Sequence, residues 1–196
     1  MMAGFVPGRV LCTVRTTVID RFAEEFNRWQ AEEHVPSLLA LPGYLGLQSG
    51  RCIADQLSTI NVWELASKAA FDSPEHDRAS HTPWRVRIVP MRSKFEVRFF
   101  DHDHLIDTHA GISAQSTPCA FVWHALAAET DAITKARELA QTEGTCFTRV
   151  LHDRDVAGEK VVLQYIVAMP GTSRKVGNGD EAPAVYRFIN TYGDKT

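Results

Sequence analysis

The clearest element that the pattern of apolar and polar positions predicts is an amphipathic helix near the N-terminus. The spacing i, i+4, i+7 that marks one helix face is met by Phe22, Phe26 and Trp29. The pattern predicts a helix over residues 20–33, with His34 at its C-terminal end and Pro36 interrupting it. A turn at Pro42-Gly43 is predicted after it, followed by a strand that begins at Tyr44. An ionisable imidazole is therefore predicted where a buried helix face meets solvent.

Periodicity over the first hundred residues further predicts four strands and a second helix. The strands are rich in β-branched and aromatic residues and are predicted over 9–18, 44–53, 56–65 and 94–100. A second helix is predicted over 67–80, with a restart at Ser73-Pro74, an N-cap followed by a proline in the first turn. The order βαββαβ is that of the ferredoxin-like plan.

The second half of the chain repeats this order more weakly. Strands are predicted over 119–126, 145–152, 160–169 and 184–190, with one helix over 130–141 and a loop over 170–183 in place of the second helix. We therefore predict an α+β fold of two ferredoxin-like halves, residues 1–104 and 105–196, with a linker at about 101–117. Each half leaves one sheet face bare, and the two bare faces are expected to pack together into a barrel.

Composition narrows the classes of partner. The formal net charge of −3 and the pI of about 6.2 provide no basic surplus for nucleic-acid phosphates. No apolar run approaches the roughly 20 residues that span a bilayer, and no signal-peptide pattern is present, so a cytoplasmic protein is expected. The chain is expected either to close the barrel alone or to form a homodimer.

The helix, its histidine and the turn that follows resemble a known superfamily. Between residues 9 and 100 the chain resembles the dimeric α+β barrel proteins, and within them the EthD-like branch. The resemblance is carried by Phe26, Asn27, Trp29, Glu33, His34, Pro36, Leu39, Pro42, Gly43, Tyr44, Trp63, Phe71, Ser73, Pro74 and Trp84.

This resemblance implies a ligand pocket between the sheet and its helices, where a histidine does acid/base work in some members. Relatives include isomerases, decarboxylases, cyclases, monooxygenases and proteins without a known role, so the motif indicates the fold better than the reaction. The second half has no Glu-His-x-Pro, so one full pocket of this type is expected in the chain.

Two histidines are the candidate catalytic residues. His34 is the motif side chain that titrates near neutrality, and the alternative is a structural residue bound to the helix end. His81 lies in a His-Thr-Pro-Trp segment that resembles the border of the pocket in relatives. Glu33 and His76 are expected to face solvent.

Four aromatic residues are candidates for binding a substrate, namely Trp29, Tyr44, Trp63 and Trp84. They could line an apolar pocket for an aromatic ligand, or they could belong to the core. The hydroxyl of Tyr44 needs a hydrogen-bond partner when buried, which favours a place in the pocket.

Metal and cofactor chemistry has weak support in the sequence. The segment Asp101-His-Asp-His104 carries metal-ligand side chains, and in an extended chain His102 and His104 would share a face. A solvated linker loop is the favoured interpretation, so no metal is expected. No P-loop or GxGxxG occurs, and no cofactor is expected.

These observations lead to one leading function and two alternatives. The leading hypothesis is a cofactor-independent lyase or isomerase that acts on a small cyclic or aromatic metabolite, with His34 as the general acid/base. The alternatives are a non-catalytic binding or stress-related protein on the same scaffold, and a haem-handling or monooxygenase relative.

Overall fold

The computed structural model describes residues 9–107, 120–127, 130–167 and 184–192, with backbone only for residue 107 and residues 188–192. Its strands are β1 (Val10–Val18), β2 (Tyr44–Cys52), β3 (Ser58–Leu65), β4 (Arg92–Asp107), β5 (Ala120–Leu126), β6 (Thr145–Asp153), β7 (Lys160–Ile166) and β8 (Ala184–Tyr192). Its α-helices are α1 (Ala23–Trp29), α2 (Val35–Leu39), α3 (Lys68–Phe71), α4 (Pro74–Ser80), α5 (Pro83–Ile88) and α6 (Ala132–Ala140). None of the helices in these ranges is long and apolar enough to cross a membrane.

The eight strands form one closed antiparallel barrel in the order β1-β3-β2-β8-β5-β7-β6-β4. Strands β4-β1-β3-β2 form one ferredoxin-like sheet, and β8-β5-β7-β6 repeat the same order in the second. The sheets join where β2 pairs with β8 and where β4 pairs with β6. The structure therefore confirms the predicted α+β fold, with both ferredoxin-like halves in one chain.

Strand β4 joins the two halves, and here one prediction is wrong. Residues 101–107 belong to this strand and pair with β6, so this part of the predicted linker is not a loop. The remaining linker residues, 108–117, lie outside the described part of the chain. The predicted boundary between residues 104 and 105 falls within β4, and the division of the chain there stays a prediction.

Apolar side chains alternate between the barrel interior and the outer faces that the helices cover. The interior core joins both halves and contains Leu11, Ile60, Val62, Phe100, Phe121, Trp123, Phe147, Leu151, Val161, Leu163, Tyr165 and Tyr186. On the outer face of the first sheet, a second cluster packs against the helices and includes Val35, Leu38, Tyr44, Trp63 and Phe99. This outer cluster holds two of the aromatic residues that sequence analysis selected, Tyr44 and Trp63, whereas Trp29 and Trp84 belong to a third cluster.

The interior also buries polar side chains that link the halves. Arg149 on β6 makes a two-point ion pair with Glu64 on β3, and both are almost completely buried. Tyr165 on β7 donates a hydrogen bond of 2.8 Å to Gln48 on β2. Each contact crosses from one ferredoxin-like half to the other.

The first helix continues beyond the predicted end. A π-helical segment, Gln30–His34, connects α1 to α2, and Pro36 lies in the first turn of α2, where proline is tolerated. His34 therefore lies within a continuous helical stretch that ends near Leu39, and its predicted place at a helix end is wrong. π segments of this kind are often found at functional sites.

The turn before β2 fixes where Tyr44 begins the strand. Gly43 has φ +85°, and an added Cβ there would lie 2.7 Å from the Cβ of Ala70. Both its backbone angle and the approach of α3 require glycine. The predicted Pro-Gly turn and the start of the second strand are confirmed.

The second helix predicted over 67–80 is two short helices, α3 and α4. The restart at Ser73-Pro74 is confirmed, because the Ser73 hydroxyl accepts from the amide of His76 at the start of α4. Helix α5 was not predicted and begins in the same way, with Thr82 accepting from the amide of Arg85. The loop predicted over 170–183 lies outside the described residues.

Candidate functional site

The candidate site lies on the outer face of the first sheet, around His34. The His34 ring stacks on Trp29 with a centroid distance of 4.4 Å and meets Trp63 edge-on at 6.2 Å. Among the residues that the structure describes, neither ring nitrogen of His34 has a hydrogen-bond partner. The imidazole is thus fixed by aromatic contacts while its polar atoms stay available.

Burial controls the charge of His34. Its pKa falls from 6.5 to about 3, first because the enclosed ring loses hydration and then because Arg85, His76 and Arg92 place positive charge near it. Arg85 and Arg92 are half-buried. His34 is therefore a neutral imidazole at physiological pH.

Two of the four predicted aromatic residues, Trp29 and Trp63, contact this imidazole, and a third, Tyr44, contacts Trp63. Trp29, Tyr44 and Trp63 are 4%, 3% and 2% exposed, so they belong to the core and also contact one another or His34. Trp84 packs against a cluster that contains Phe26, Trp29 and Ile88. The structure therefore brings Trp29 and Trp63 against His34 and Tyr44 against Trp63, and it gives Trp84 no contact with His34 among the described residues.

Glu33 fastens the π segment to its neighbours, so its predicted solvent position is wrong. Its carboxylate accepts a hydrogen bond of 3.2 Å from the indole nitrogen of Trp29 and a short one from the hydroxyl of Thr82. Thr82 also caps α5. One carboxylate thereby joins the ring that stacks on His34 to the helix that carries Arg85.

His76 is a second imidazole of the site, and its predicted exposure is also wrong. Its Nδ1 lies 2.5 Å from the hydroxyl of Tyr44 and its Nε2 lies 3.1 Å from the hydroxyl of Ser80. The ring is half-buried, parallel to the Tyr44 ring and 4.3 Å from that of Phe71. Burial lowers the pKa of His76, and nearby Asp77 partly opposes this shift.

His81 stands at the edge of the site. It is exposed at the end of α4, with its Nδ1 2.7 Å from the carbonyl oxygen of Asp77. It is close enough to His76 to affect that residue's charge. A catalytic role for His81 stays a prediction.

The Asp101–His104 segment does not place its two histidines on one face of the strand. A bulge in β4 lies between His102 and His104, which pair with the consecutive residues Leu151 and Val150 and so point to opposite faces. His102 lies near Arg149 and Glu64, whereas His104 is exposed beside Asp103. The expectation of a shared face is wrong, and within the described ranges no group of three or more His, Cys, Asp or Glu could hold a metal ion.

Sequence reasoning missed His76, Glu33 and Thr82. The N-cap spacing from Ser73 could have placed the amide of His76 in the first turn of α4. That spacing carries no information about β2, so the contact with Tyr44 could not be read from it. Glu33 and Thr82 are 49 residues apart, and no local pattern links them.

Comparisons with known proteins support the fold. No protein-family model and no curated protein sequence matches the chain. Among solved structures it is similar to a proposed monooxygenase from Fusobacterium nucleatum subsp. nucleatum, with 12% identity, a TM-score of 0.61 and 96% of each chain covered. An anthrone oxidase-like protein gives 12% identity and a TM-score of 0.61, covering 96% of this chain and 94% of that one.

A third similar structure is a proposed chlorite dismutase, with 12% identity, a TM-score of 0.54 and coverage of 92% of this chain and 95% of the other. At these identities the likeness concerns the fold. The EthD-like branch stays a prediction. The chain has the fold of the dimeric α+β barrel (ferredoxin-like) superfamily, with both halves of the barrel supplied by one polypeptide.

Proposed function

We propose that this protein binds a small cyclic or aromatic molecule at His34 and acts on it as a cofactor-independent enzyme of the lyase or isomerase type. The observation that carries the proposal is the state of His34. Its ring is fixed between Trp29 and Trp63, and its nitrogens have no hydrogen-bond partner within the described residues. A ring that is held in place while its nitrogens make no hydrogen bond within the described residues is suited to contact a ligand.

The chemistry follows from the neutral imidazole. A general base must be unprotonated before it acts, and a His34 pKa of about 3 ensures this at neutral pH. The same low pKa makes His34 a weak base, so its contribution is expected at or below the usual range of roughly 10²–10⁴-fold. A short-lived proton transfer from an acidic position of the ligand, or a hydrogen bond to it, fits this environment.

The second candidate function is oxygenation of an aromatic compound. Two structures with similar folds are proposed monooxygenases, from Fusobacterium nucleatum subsp. nucleatum and Lactobacillus acidophilus, and a third is anthrone oxidase-like. The aromatic surroundings of His34 fit a ligand of that kind. A binding protein without catalysis is the third candidate, and a haem-handling role would give a visible absorption band in the purified protein.

A ligand screen tests the proposal. A panel of one-ring and fused-ring aromatic compounds, anthrone included, is screened by ligand-observed NMR against the wild type and H34Q. We expect binders whose affinity or turnover falls in H34Q and is retained in H152Q, which removes a partly buried imidazole that pairs with Asp103, away from His34. Binders that are equally affected by both variants, or no binders at all, would contradict a site at His34.

Product analysis of each binder separates the candidates. Isomerised or cleaved products support the lyase or isomerase, oxygen uptake supports the monooxygenase, and binding without turnover supports a non-catalytic binding protein.

A cytoplasmic location and a homodimer are parts of the proposal that the fold leaves open. A mass of 21.9 kDa in solution would indicate a barrel that works as a single chain, and twice that mass a homodimer.

A further inference from the structure

Tyr44, His76 and Ser80 form a hydrogen-bonded chain beside His34 that the proposed role of His34 does not use. The Tyr44 hydroxyl has the Nδ1 of His76, at 2.5 Å, as its acceptor, and it makes no other hydrogen bond within the described residues. Burial raises the pKa of Tyr44, so the phenol keeps its proton and donates it to Nδ1. The imidazole hydrogen of His76 must then be on Nε2, which donates to Ser80 at 3.1 Å.

The chain is held rigidly, with both of its ends buried and its middle residue closer to solvent. Tyr44 and Ser80 are buried at 3% exposure, while His76 between them is half-buried. The rings of Tyr44 and His76 are parallel within 4°, and Phe71 covers His76 at 4.3 Å. Tyr44 also meets Trp63 edge-on at 5.5 Å, which places its ring beside the surroundings of His34.

The charges around the pair are mixed in sign. Negative groups raise the pKa of His76 and positive groups lower it. The charged or titratable groups that act on His76 or Tyr44 are Asp72, Asp77, His81, Arg85 and Cys12. The carboxylates favour a proton on His76. The positive charge of Arg85 favours an anion close by, so the surroundings tolerate a charge-separated pair of ligand anion and imidazolium.

We propose that Tyr44 and His76 form a proton relay that ionises an acidic hydroxyl or enol of the ligand. This inference rests on the proposed function, because it assigns a substrate class to the same site. The ligand O–H bond breaks and its proton moves to Oη of Tyr44. The Tyr44 O–H bond breaks in turn, and its proton moves to Nδ1 of His76.

The step leaves a ligand anion and a His76 imidazolium that still donates from Nε2 to Ser80. No net charge is created and no further reactant is needed. Tyr44 is the residue that touches the ligand, and His76 acts through it. The relay gives the site a second proton acceptor besides His34, whose pKa of about 3 makes it a weak base.

Two probes that differ by one acidic proton test the relay. 4-Nitrophenol carries the acidic hydroxyl, and its anion absorbs in the visible range, whereas 4-nitroanisole is the matched ether. At a pH where free 4-nitrophenol is mostly neutral, we expect binding to the wild type to produce the anion band. In the same complex the Nδ1 nitrogen-15 shift of His76 should move to the protonated position, and 4-nitroanisole should leave it unchanged.

Variants separate the relay from simple ligand binding. Y44F should lose the anion band and keep its affinity for 4-nitroanisole, and H76Q should lose the band as well. Y186F, which removes a buried phenol from the barrel interior, should behave as the wild type. Should H76Q fail to fold, the nitrogen-15 shift of wild-type His76 tests its role instead. A shift to the protonated position with 4-nitrophenol supports the relay, and an unchanged shift contradicts it.

The outcomes distinguish this proposal from the proposed function. If both probes bind at His34 and the anion band is absent, or persists in Y44F, the relay is wrong and the aromatic site stands. If neither probe perturbs the site, the proposed function fails together with the relay.

Discussion

At the scale of single residues, His34 illustrates how burial rather than sequence sets a side chain's chemistry. Its ring is stacked on Trp29, and its pKa is lowered first by lost hydration and then by nearby positive charge. The unfolded chain would hold this histidine at its ordinary pKa of 6.5. The folded protein therefore binds fewer protons than the unfolded chain between about pH 3 and 6.5.

Acid should therefore destabilise the fold through His34. The contribution of His34 is fully present above pH 6.5, the unfolded pKa, and is lost as the pH falls toward about 3. The expected loss in unfolding free energy is at most about 1.4 kcal/mol per pH unit. Denaturant melts at pH 7 and pH 5 measure it in the wild type, H34Q and H152Q.

H34Q should lose part of the difference in unfolding free energy between the two pH values, and H152Q should retain it. Equal pH sensitivity in wild type and H34Q would show that His34 titrates normally in the folded protein. The lowered pKa of His34 would then be wrong.

At the scale of elements, the site depends on hydrogen bonds that join the π segment Gln30–His34 to the short helix α5. Glu33 accepts from Trp29 and from Thr82, and Thr82 accepts from the amide of Arg85. Helix α5 has six residues, too few to be stable alone. Its position beside His34 therefore depends on these polar contacts and on the packing of Ile88.

Removing the hydroxyl of Thr82 should loosen this junction. T82V deletes both the N-cap and the donor to Glu33, at an expected cost of about 1–3 kcal/mol in unfolding free energy. T82S retains the hydroxyl and should cost much less. Chemical denaturation of the two variants checks the difference, and a loss in T82V no larger than the loss in T82S would contradict a junction that depends on the hydroxyl.

At the scale of the whole molecule, the barrel closes around a buried ion pair. Arg149 and Glu64 lie in opposite halves and have almost no contact with solvent. Removing water from both charges is costly, so the pair contributes more to specifying how the halves meet than to net stability. Removing only one partner leaves the other charge buried and uncompensated, which strongly lowers the free energy of unfolding.

Replacing one partner should therefore cost more than replacing both. R149M leaves Glu64 buried without its cation and is expected to cost about 3–5 kcal/mol, while R149M combined with E64L should regain much of that loss. Urea denaturation of R149M, E64L and the double variant gives the coupling free energy between the two side chains. Additive losses would mean that the two side chains contribute independently.

The sequence predicted periodic features well and distant contacts poorly. The order of the strands, the Pro-Gly turn and the restart at Ser73-Pro74 each depend on residues a few positions apart, and all are confirmed. Pro36 was misread because proline ends a helix in its interior but is tolerated in a first turn. The contact of Tyr44 with His76 requires the packing of α4 on β2, which no local pattern encodes.

The most direct test of the central claim is to map where an aromatic ligand binds. We propose adding 4-nitroanisole stepwise to the protein while following the histidine and tryptophan side-chain resonances by NMR. A site between the first sheet and its helices predicts progressive shifts at His34, Trp29 and Trp63, with Trp123 in the barrel interior unaffected. Shifts confined to Trp123 or to His152, with His34 unmoved, would contradict the account.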